Sequence, residues 1–330
     1  MKKLILAVPL LIVFLVSAGA LLLLSGLWIC AAIVIAFAII LNWRTETFAL
    51  HLFRKKQENP DFRVLTYNVN RAHEISVNKG TTEELISFIL RQKADLVLLQ
   101  EYNVELYPEV QERLGQEYPF GCGTENTSRF KSVFSHFPIE SCEQLMVDAN
   151  DPQYELFQNA IYCKKKYDDM EVLPICKLKV RVRDKQVQIF NCHLMSNNYS
   201  VVIRNLRKKG KSIIAGIFPV LHRMDFGSQA RELQAKVIGS HIDSSMPTLI
   251  CGDFNDVSGS SPLNLLQKLG LSDAWWKGGF GFGFTFHGMG LRFRLDHVLY
   301  SSQDLRLANV SVPHSIVSDH DPIVSDFSFR

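Results

Sequence analysis

Residues 247–256, PTLICGDFND, decide how this chain folds. Thr248, Leu249, Ile250 and Cys251 are β-branched or apolar, and Gly252, Asp253, Asn255 and Asp256 follow at once. A short apolar run bounded by proline on one side and by glycine and carboxylates on the other reads as a buried strand feeding a loop. The same grammar recurs outward in both directions. FRVLTYNVN (62–70) and LVLLQ (96–100) are strand-like, the second delivering Glu101 at its end. Further runs lie at 131–136, 159–163, 178–182, 186–194, 295–300 and 322–329. Two helices separate them. In 81–92, Thr81 or Thr82 can cap an apolar face of Leu85, Ile86, Ile89 and Leu90, and 228–242 is amphipathic. Strands outnumber helices, and polar residues collect at strand ends. The expected architecture is an α/β sandwich, two sheets face to face with helices outside.

Those strand ends carry the chemistry. Asn68, Glu101, the Asn191-Cys192-His193 triplet, Asp253 with Asn255, and Ser318-Asp319-His320 each close an apolar run, while Asp296 with His297 opens one. Side chains two apart on a strand share a face, so Asn191 pairs with His193, and Asp253 with Asn255 if the backbone stays extended. Each motif alone reads as a turn, a cap or a satisfied polar side chain. Together they bring carboxylates, carboxamides and imidazoles to an edge, with no serine or cysteine set up as a nucleophile. Oxygen ligands in small number suit Mg²⁺, which keeps much of its water shell.

GDFN with a terminal SDH resembles the endonuclease/exonuclease/phosphatase superfamily, the fold of deoxyribonuclease I, abasic-site endonucleases, neutral sphingomyelinases and inositol-polyphosphate 5-phosphatases. The resemblance covers about residues 63–329. SDAWW (272–276), GFTFHGMGLRFRLDHVL (283–299) and SDHDPIV (318–324) look especially like bacterial members with N-terminal membrane helices. It implies a four-layer α/β sandwich and Mg²⁺-dependent hydrolysis of phosphoesters, with Mn²⁺ as a substitute ion. It also implies roles. Glu101 is the principal metal ligand, with Asn68 and Asp319 beside it. Asp253 orients or deprotonates the attacking water, and Asn255 holds that water or a phosphate oxygen. His320 donates to the phosphoryl group, Asp296 fixes its tautomer, and His193 contacts the phosphate from the other side. Asn70 stands where many nuclease members carry an aspartate.

Ahead of this domain, residues 4–41 contain no charged side chain, although the whole 330-residue chain has a net charge of only +3. That run is close to twice the ~20 residues that cross a bilayer, so two transmembrane helices breaking at Ser25-Gly26 form the expected hairpin. Ala18-Gly19-Ala20 also resembles a signal-peptidase site. Lys2 and Lys3 before the run, and Arg44, Arg54, Lys55 and Lys56 after it, place both ends on the cytoplasmic face of a bacterial inner membrane. The expected division is 1–43 membrane helices, 44–60 basic juxtamembrane linker and 61–330 catalytic domain. The seven cysteines show no CxxC pair and no zinc-like spacing, and read as reduced structural thiols. Arg204, Arg207, Lys208, Lys209 and Lys211 crowd an insertion at 198–227 that suits anionic headgroups or a nucleic-acid backbone. The substrate is thus a phosphoester in a lipid, a small molecule or a nucleic acid, and no protein partner follows from the sequence. A non-catalytic binding module on the same scaffold is the remaining alternative, and the intact acidic and imidazole set speaks against it.

Overall fold

A computed structural model describes residues 7–51, 59–70, 81–102, 108–122, 131–145, 175–196, 217–288 and 291–330. The basic cluster at 204–211 and the strand expected at 159–163 lie outside these residues.

The apolar runs become two six-stranded sheets. One is ordered β15 (Leu305–Ser311), β16 (Ile323–Phe329), β2 (Phe62–Asn68), β3 (Leu96–Gln100), β5 (Lys131–Ser135) and β4 (Phe120–Cys122). The other is ordered β10 (Leu271–Asp273), β14 (Asp296–Ser301), β9 (Thr248–Asp253), β8 (Lys185–His193), β7 (Ile175–Val182) and β6 (Ile139–Leu145). Each sheet holds one parallel pair at its centre, β2 with β3 and β8 with β9.

Central strands buried on both faces need apolar side chains on both, and these strands have them. Val64, Leu96, Leu98, Leu178, Ile189, Leu249 and Cys251 fill the space between the sheets. Leu65, Val97 and Leu99 face the other way, onto the helices at Thr82–Arg91 and Pro108–Glu117. Phe190, Ile250 and Leu299 face the helices at Ile217–Ser240 and Ser261–Gln267. The result is the expected four layers, helix on sheet on sheet on helix. Thr81 caps the helix at Thr82–Arg91 in a reciprocal box with Glu84.

Two apolar helices precede the sandwich, α1 (Val8–Leu24) and α2 (Trp28–Thr45), joined through residues 25–27. They pack closely, and a Cβ on Gly19 would fall 2.6 Å from Ile35 Cγ1. α2 is 18 residues long with mean hydropathy 1.8, long and apolar enough to cross a membrane, and only 17% of it is buried.

The stretch expected as a linker departs from that reading over its first half. β1 (Ala49–Leu50) pairs with β11 (Phe280–Gly281), and Thr45, Thr47 and Ala49 are buried. The Asn42 amide turns the chain back by exchanging two hydrogen bonds with the Phe48 backbone at 2.7 and 2.9 Å. Arg294 Nη2 donates to the Glu46 carbonyl at 3.0 Å. The physical reason is shape as much as charge, because Gly259 lacks the Cβ that would stand 2.8 Å from Thr45 Cα.

Arg294 also donates from Nη1 to both Asp273 carboxylate oxygens at 2.8 Å, in a pair that is 4% and 3% exposed. Removing one partner of such a pair strands the other charge. Arg294→Met is therefore expected to destabilise the chain by ~3–5 kcal/mol, read as a lower chemical-denaturation midpoint. A midpoint unchanged from wild type would show that Asp273 is satisfied by His297 and the Trp276 backbone alone.

Candidate active site

The polar strand ends meet at one edge of the sandwich. Asn68 ends β2 and lies level with Gln100 at the end of β3, and Glu101 follows. His193 ends β8 directly beside Asp253, the last residue of β9, and Asp253 in turn pairs with Asp296 at the start of β14. Asn68 Nδ2 spans the two sheets, donating to Asp253 Oδ2 at 2.9 Å and to Glu101 Oε1 at 3.3 Å. His193 Nε2 stands 3.4 Å from Glu101 Oε1 and 3.7 Å from Asp253 Oδ2. His320 Nδ1 contacts Asp296 Oδ2 at 2.7 Å, and its Nε2 lies 3.9 Å from Asp253 Oδ2. Glu101 and His193 keep 21% and 16% of their side chains exposed, whereas Asp253, Asp296 and His320 are buried. Solvent therefore reaches this cluster from the Glu101–His193 side.

Seven of the eight expected residues, Asn68, Glu101, His193, Asp253, Asn255, Asp296 and His320, are linked by these contacts. Asp319 follows in the same loop, and its charge reaches His320. Asn255 joins by a different route from the one expected. The strand ends at Asp253, and Asn255 takes a left-handed φ of 51°. Its backbone N–H donates to Asp253 Oδ1 at 2.7 Å and its Nδ2 to Asp253 Oδ2 at 3.2 Å. A tight turn, not strand alternation, brings the two together. Asn70 and Glu101 also have positive φ, 46° and 54°. Such backbone costs ~1–3 kcal/mol per residue and collects where a site over-determines it.

Burial shapes the acid–base character. Asp253 is raised above the usual carboxylate range, first by loss of solvent and then by the neighbouring Asp296, against the opposing pull of His320 and His193. For His320 burial acts downward, yet Asp296, Asp253 and Asp319 outweigh it and lift the imidazole to about 10. His320 is thus an imidazolium at neutral pH, and Asp253 is a stronger base than an exposed aspartate.

The donor set fits a hard divalent cation. Among the described residues, Asp253 and Asp296 are met by imidazoles and amides, not by lysine or arginine, so the pocket carries surplus negative charge on oxygen. Asn68 departs from its expected part, because its Oδ1 accepts from the Asn70 backbone at 2.9 Å and its nitrogen faces the carboxylates. As placed it bridges two carboxylates as a donor, and ligation by its oxygen requires rotation of the amide.

Sequence reasoning missed a supporting tier. Gln100 Nε2 donates across the sheets to Asn191 Oδ1 at 2.6 Å, and Asn191 Nδ2 donates to the Leu99 carbonyl at 3.2 Å. Thr285 Oγ1 accepts from the backbones of Leu295 and Asp296, both at 3.1 Å. Ser318 Oγ donates to the Asn68 carbonyl at 2.8 Å and accepts from the His320 backbone at 3.1 Å. Ser318 was visible in the SDH motif, whereas Gln100 and Thr285 carry no local signal.

Comparison with known proteins supports this fold. The Endonuclease/Exonuclease/phosphatase family profile matches residues 65–320. No curated protein matches the sequence. Among solved structures, an endonuclease/exonuclease/phosphatase from Bacteroides vulgatus superposes with a TM-score of 0.57 at 16% identity, covering 82% of this chain and 99% of that one. The human Nocturnin catalytic domain with bound sulfate anion gives 0.54 at 16% identity, covering 85% and 96%. Humanized D. rerio TDP2 gives 0.52 at 13%, covering 81% and 98%. At these identities the likeness establishes the fold alone. With most of the chain matched by the profile, this protein belongs to the endonuclease/exonuclease/phosphatase family.

Proposed function

We propose that this chain hydrolyses a phosphoester of a membrane lipid, using Mg²⁺ or Mn²⁺ held by Glu101 with Asp319 and a rotated Asn68. The observation that carries the reaction class is the convergence of Asp253, His193 and His320 on one partly open pocket beside Glu101. Asp253 takes the proton of a water that Asn255 helps to hold. The water oxygen attacks phosphorus, the ester P–O bond opposite breaks, and the leaving alkoxide takes the bonding pair and is protonated from solvent. His320, charged and fixed by Asp296, donates from Nε2 to a non-bridging oxygen, while His193 faces the phosphate from the Glu101 side. With the divalent ion bound, the site gains Lewis-acid polarisation of that phosphate and neutralisation of its developing charge.

The lipid assignment is supported by what joins the helices to the site. Leu50 and Phe280 are register partners and both exposed, and Leu50 lies in the short strand that follows the end of α2. From there Phe48 meets Phe282 at 4.8 Å, Phe282 stacks on Phe284 at 5.1 Å, and Phe286 lies edge-on to His320 at 5.1 Å. Partly exposed aromatics thus lie at both ends of the 282–286 segment, against Phe48 just past α2 and beside His320. Apolar surface of this kind suits acyl chains and is wasted on a polyanion. We further propose that α1 and α2 form a transmembrane hairpin with the domain on the cytoplasmic face, as the flanking basic residues indicate.

The test uses the full chain in lipid nanodiscs with Mg²⁺, offered phospholipid, plasmid DNA, RNA and a soluble aryl phosphodiester. Phospholipid is expected to turn over fastest, and chelator should abolish all activity. Phe282→Ser with Phe284→Ser should raise KM for the lipid several-fold and leave the soluble diester unchanged. Faster cleavage of DNA or RNA than of lipid would move the assignment to a nuclease, for which the basic cluster 204–211 supplies affinity.

A further inference from the structure

Three cysteines that look unrelated in sequence meet in space. Cys122 ends β4, the edge of one sheet, and Cys142 lies on β6, the edge of the other. Cys176 sits on β7 beside it, and β4 and β6 lie against each other. The register explains the meeting. Cys142 opposes Leu178, so it shares that residue's face toward the inter-sheet core, where Cys176 is also buried. Cys122 opposes Val133 of the same core from the other sheet. The three sulfurs all lie within 4.8 Å of one another, and Cys142 Sγ is 3.3 Å from Cys176 Sγ.

Coincidental packing of buried thiols accounts poorly for this. A thiol is a weak hydrogen-bonding group, so nothing polar draws three of them together from three strands. At 3.3 Å the nearest pair is well outside the S–S bond length of ~2.05 Å, and a disulfide between any two would leave the third unused. Three thiolates bound at ~2.3 Å to a common metal ion stand about 4 Å apart, and the sulfurs here lie in that neighbourhood, one pair at 3.3 Å and all within 4.8 Å. Soft sulfur donors select Cu(I) and Zn(II) over the hard ions that suit Glu101. Cys142 is exposed and Cys176 buried, so an ion has a way in and a sheltered end.

We propose that Cys122, Cys142 and Cys176 bind one thiophilic d¹⁰ cation, Cu(I) or Zn(II), which clamps the open edges of the two sheets. Binding releases three thiol protons to solvent as three metal–sulfur bonds form, and no oxidation state changes. Hydrogen bonds to Cys142 and Cys176, and then burial, push the Cys122 thiol up. Cu(I) accepts three thiolates alone, whereas Zn(II) takes water as its fourth ligand at the Cys142 side.

The experiment loads the full, reduced chain anaerobically with Cu(I), and separately with Zn(II), against chromogenic chelators. Co(II) serves as an optical stand-in for zinc. One ion per chain should survive desalting, with a sulfur-to-metal charge-transfer band for Co(II). Cys30→Ala, on α2, should behave as wild type, whereas Cys142→Ala should lose affinity at least tenfold with an unchanged circular dichroism spectrum. Cys122→Ser gives the same reading from the opposite sheet should Cys142→Ala misfold. Which ion survives desalting says which metal the site prefers. The proposal is overturned if wild type retains neither ion, or if Cys142→Ala and Cys122→Ser retain as much as wild type. A Cys142–Cys176 disulfide in air, with no metal uptake by the reduced protein, would also overturn it in favour of a redox pair.

Discussion

Asp253→Asn should cut kcat on a soluble phosphodiester by ~10²–10⁴-fold, the span that general acid–base catalysis supplies, and leave the fold intact. The asparagine can still accept from the Asn255 backbone, so the turn survives while the base is lost. His320→Ala should lose turnover on a similar scale for a different reason. It removes the positive charge from the pocket and leaves Asp296, which is 1% exposed, without its imidazole partner. That variant should therefore also unfold at lower denaturant, whereas Asp253→Asn should not. The paired measurement separates chemistry from support. Turnover of Asp253→Asn within tenfold of wild type at saturating Mg²⁺ would end the assignment of Asp253 as base.

Gly252→Ala should be the most damaging small substitution in the domain. Gly252 has φ +136°, a region nearly closed to other residues, and its missing Cβ would fall 1.9 Å from the Cys192 carbonyl oxygen. Cys192 is its register partner on the parallel strand β8. Neither backbone can retreat without breaking the ladder that sets His193 beside Asp253. Strain and overpacking together put the cost at about 3 kcal/mol or more. Gly270→Ala is the control, because φ is also positive at +88° but nothing lies within 4 Å. It should cost about 1 kcal/mol. Equal denaturation midpoints for the two variants would mean that the close approach at Cys192 carries no energy.

Much of this fold was legible because its signals are local. Continuous apolar runs announce central strands, and polar residues at their ends announce a site, so all eight candidate residues could be named before any contact was known. What escaped the reading depends on residues far apart in the chain. Gln100 and Asn191 are 91 positions apart and meet only because two sheets stack. The Cys122, Cys142 and Cys176 sulfurs lack metal-ligand spacing because they come from three strands, β4, β6 and β7, in two different sheets. At Asn255 the extended geometry on which the alternation depended does not persist, and left-handed backbone brings it to Asp253 instead. The two-residue strand β1 is too short to show any period, and it lies in a polar stretch whose composition reads as linker.

That short strand changes how the domain is carried. A flexible leash lets an enzyme swing, reach sideways and meet substrates at any angle. Here the chain leaves α2, turns back through Asn42 and Phe48, and is stitched into the domain's own edge by Leu50 and Arg294. The attachment behaves as a bracket. Any tilt of α2 is handed to the sandwich as a rigid rotation, and the mouth between Glu101 and His193 keeps one height and one bearing relative to the helix. If α2 crosses a bilayer, as proposed, an enzyme mounted this way would search in two dimensions, and bilayer thickness, by setting the helix tilt, would control which substrates its pocket meets.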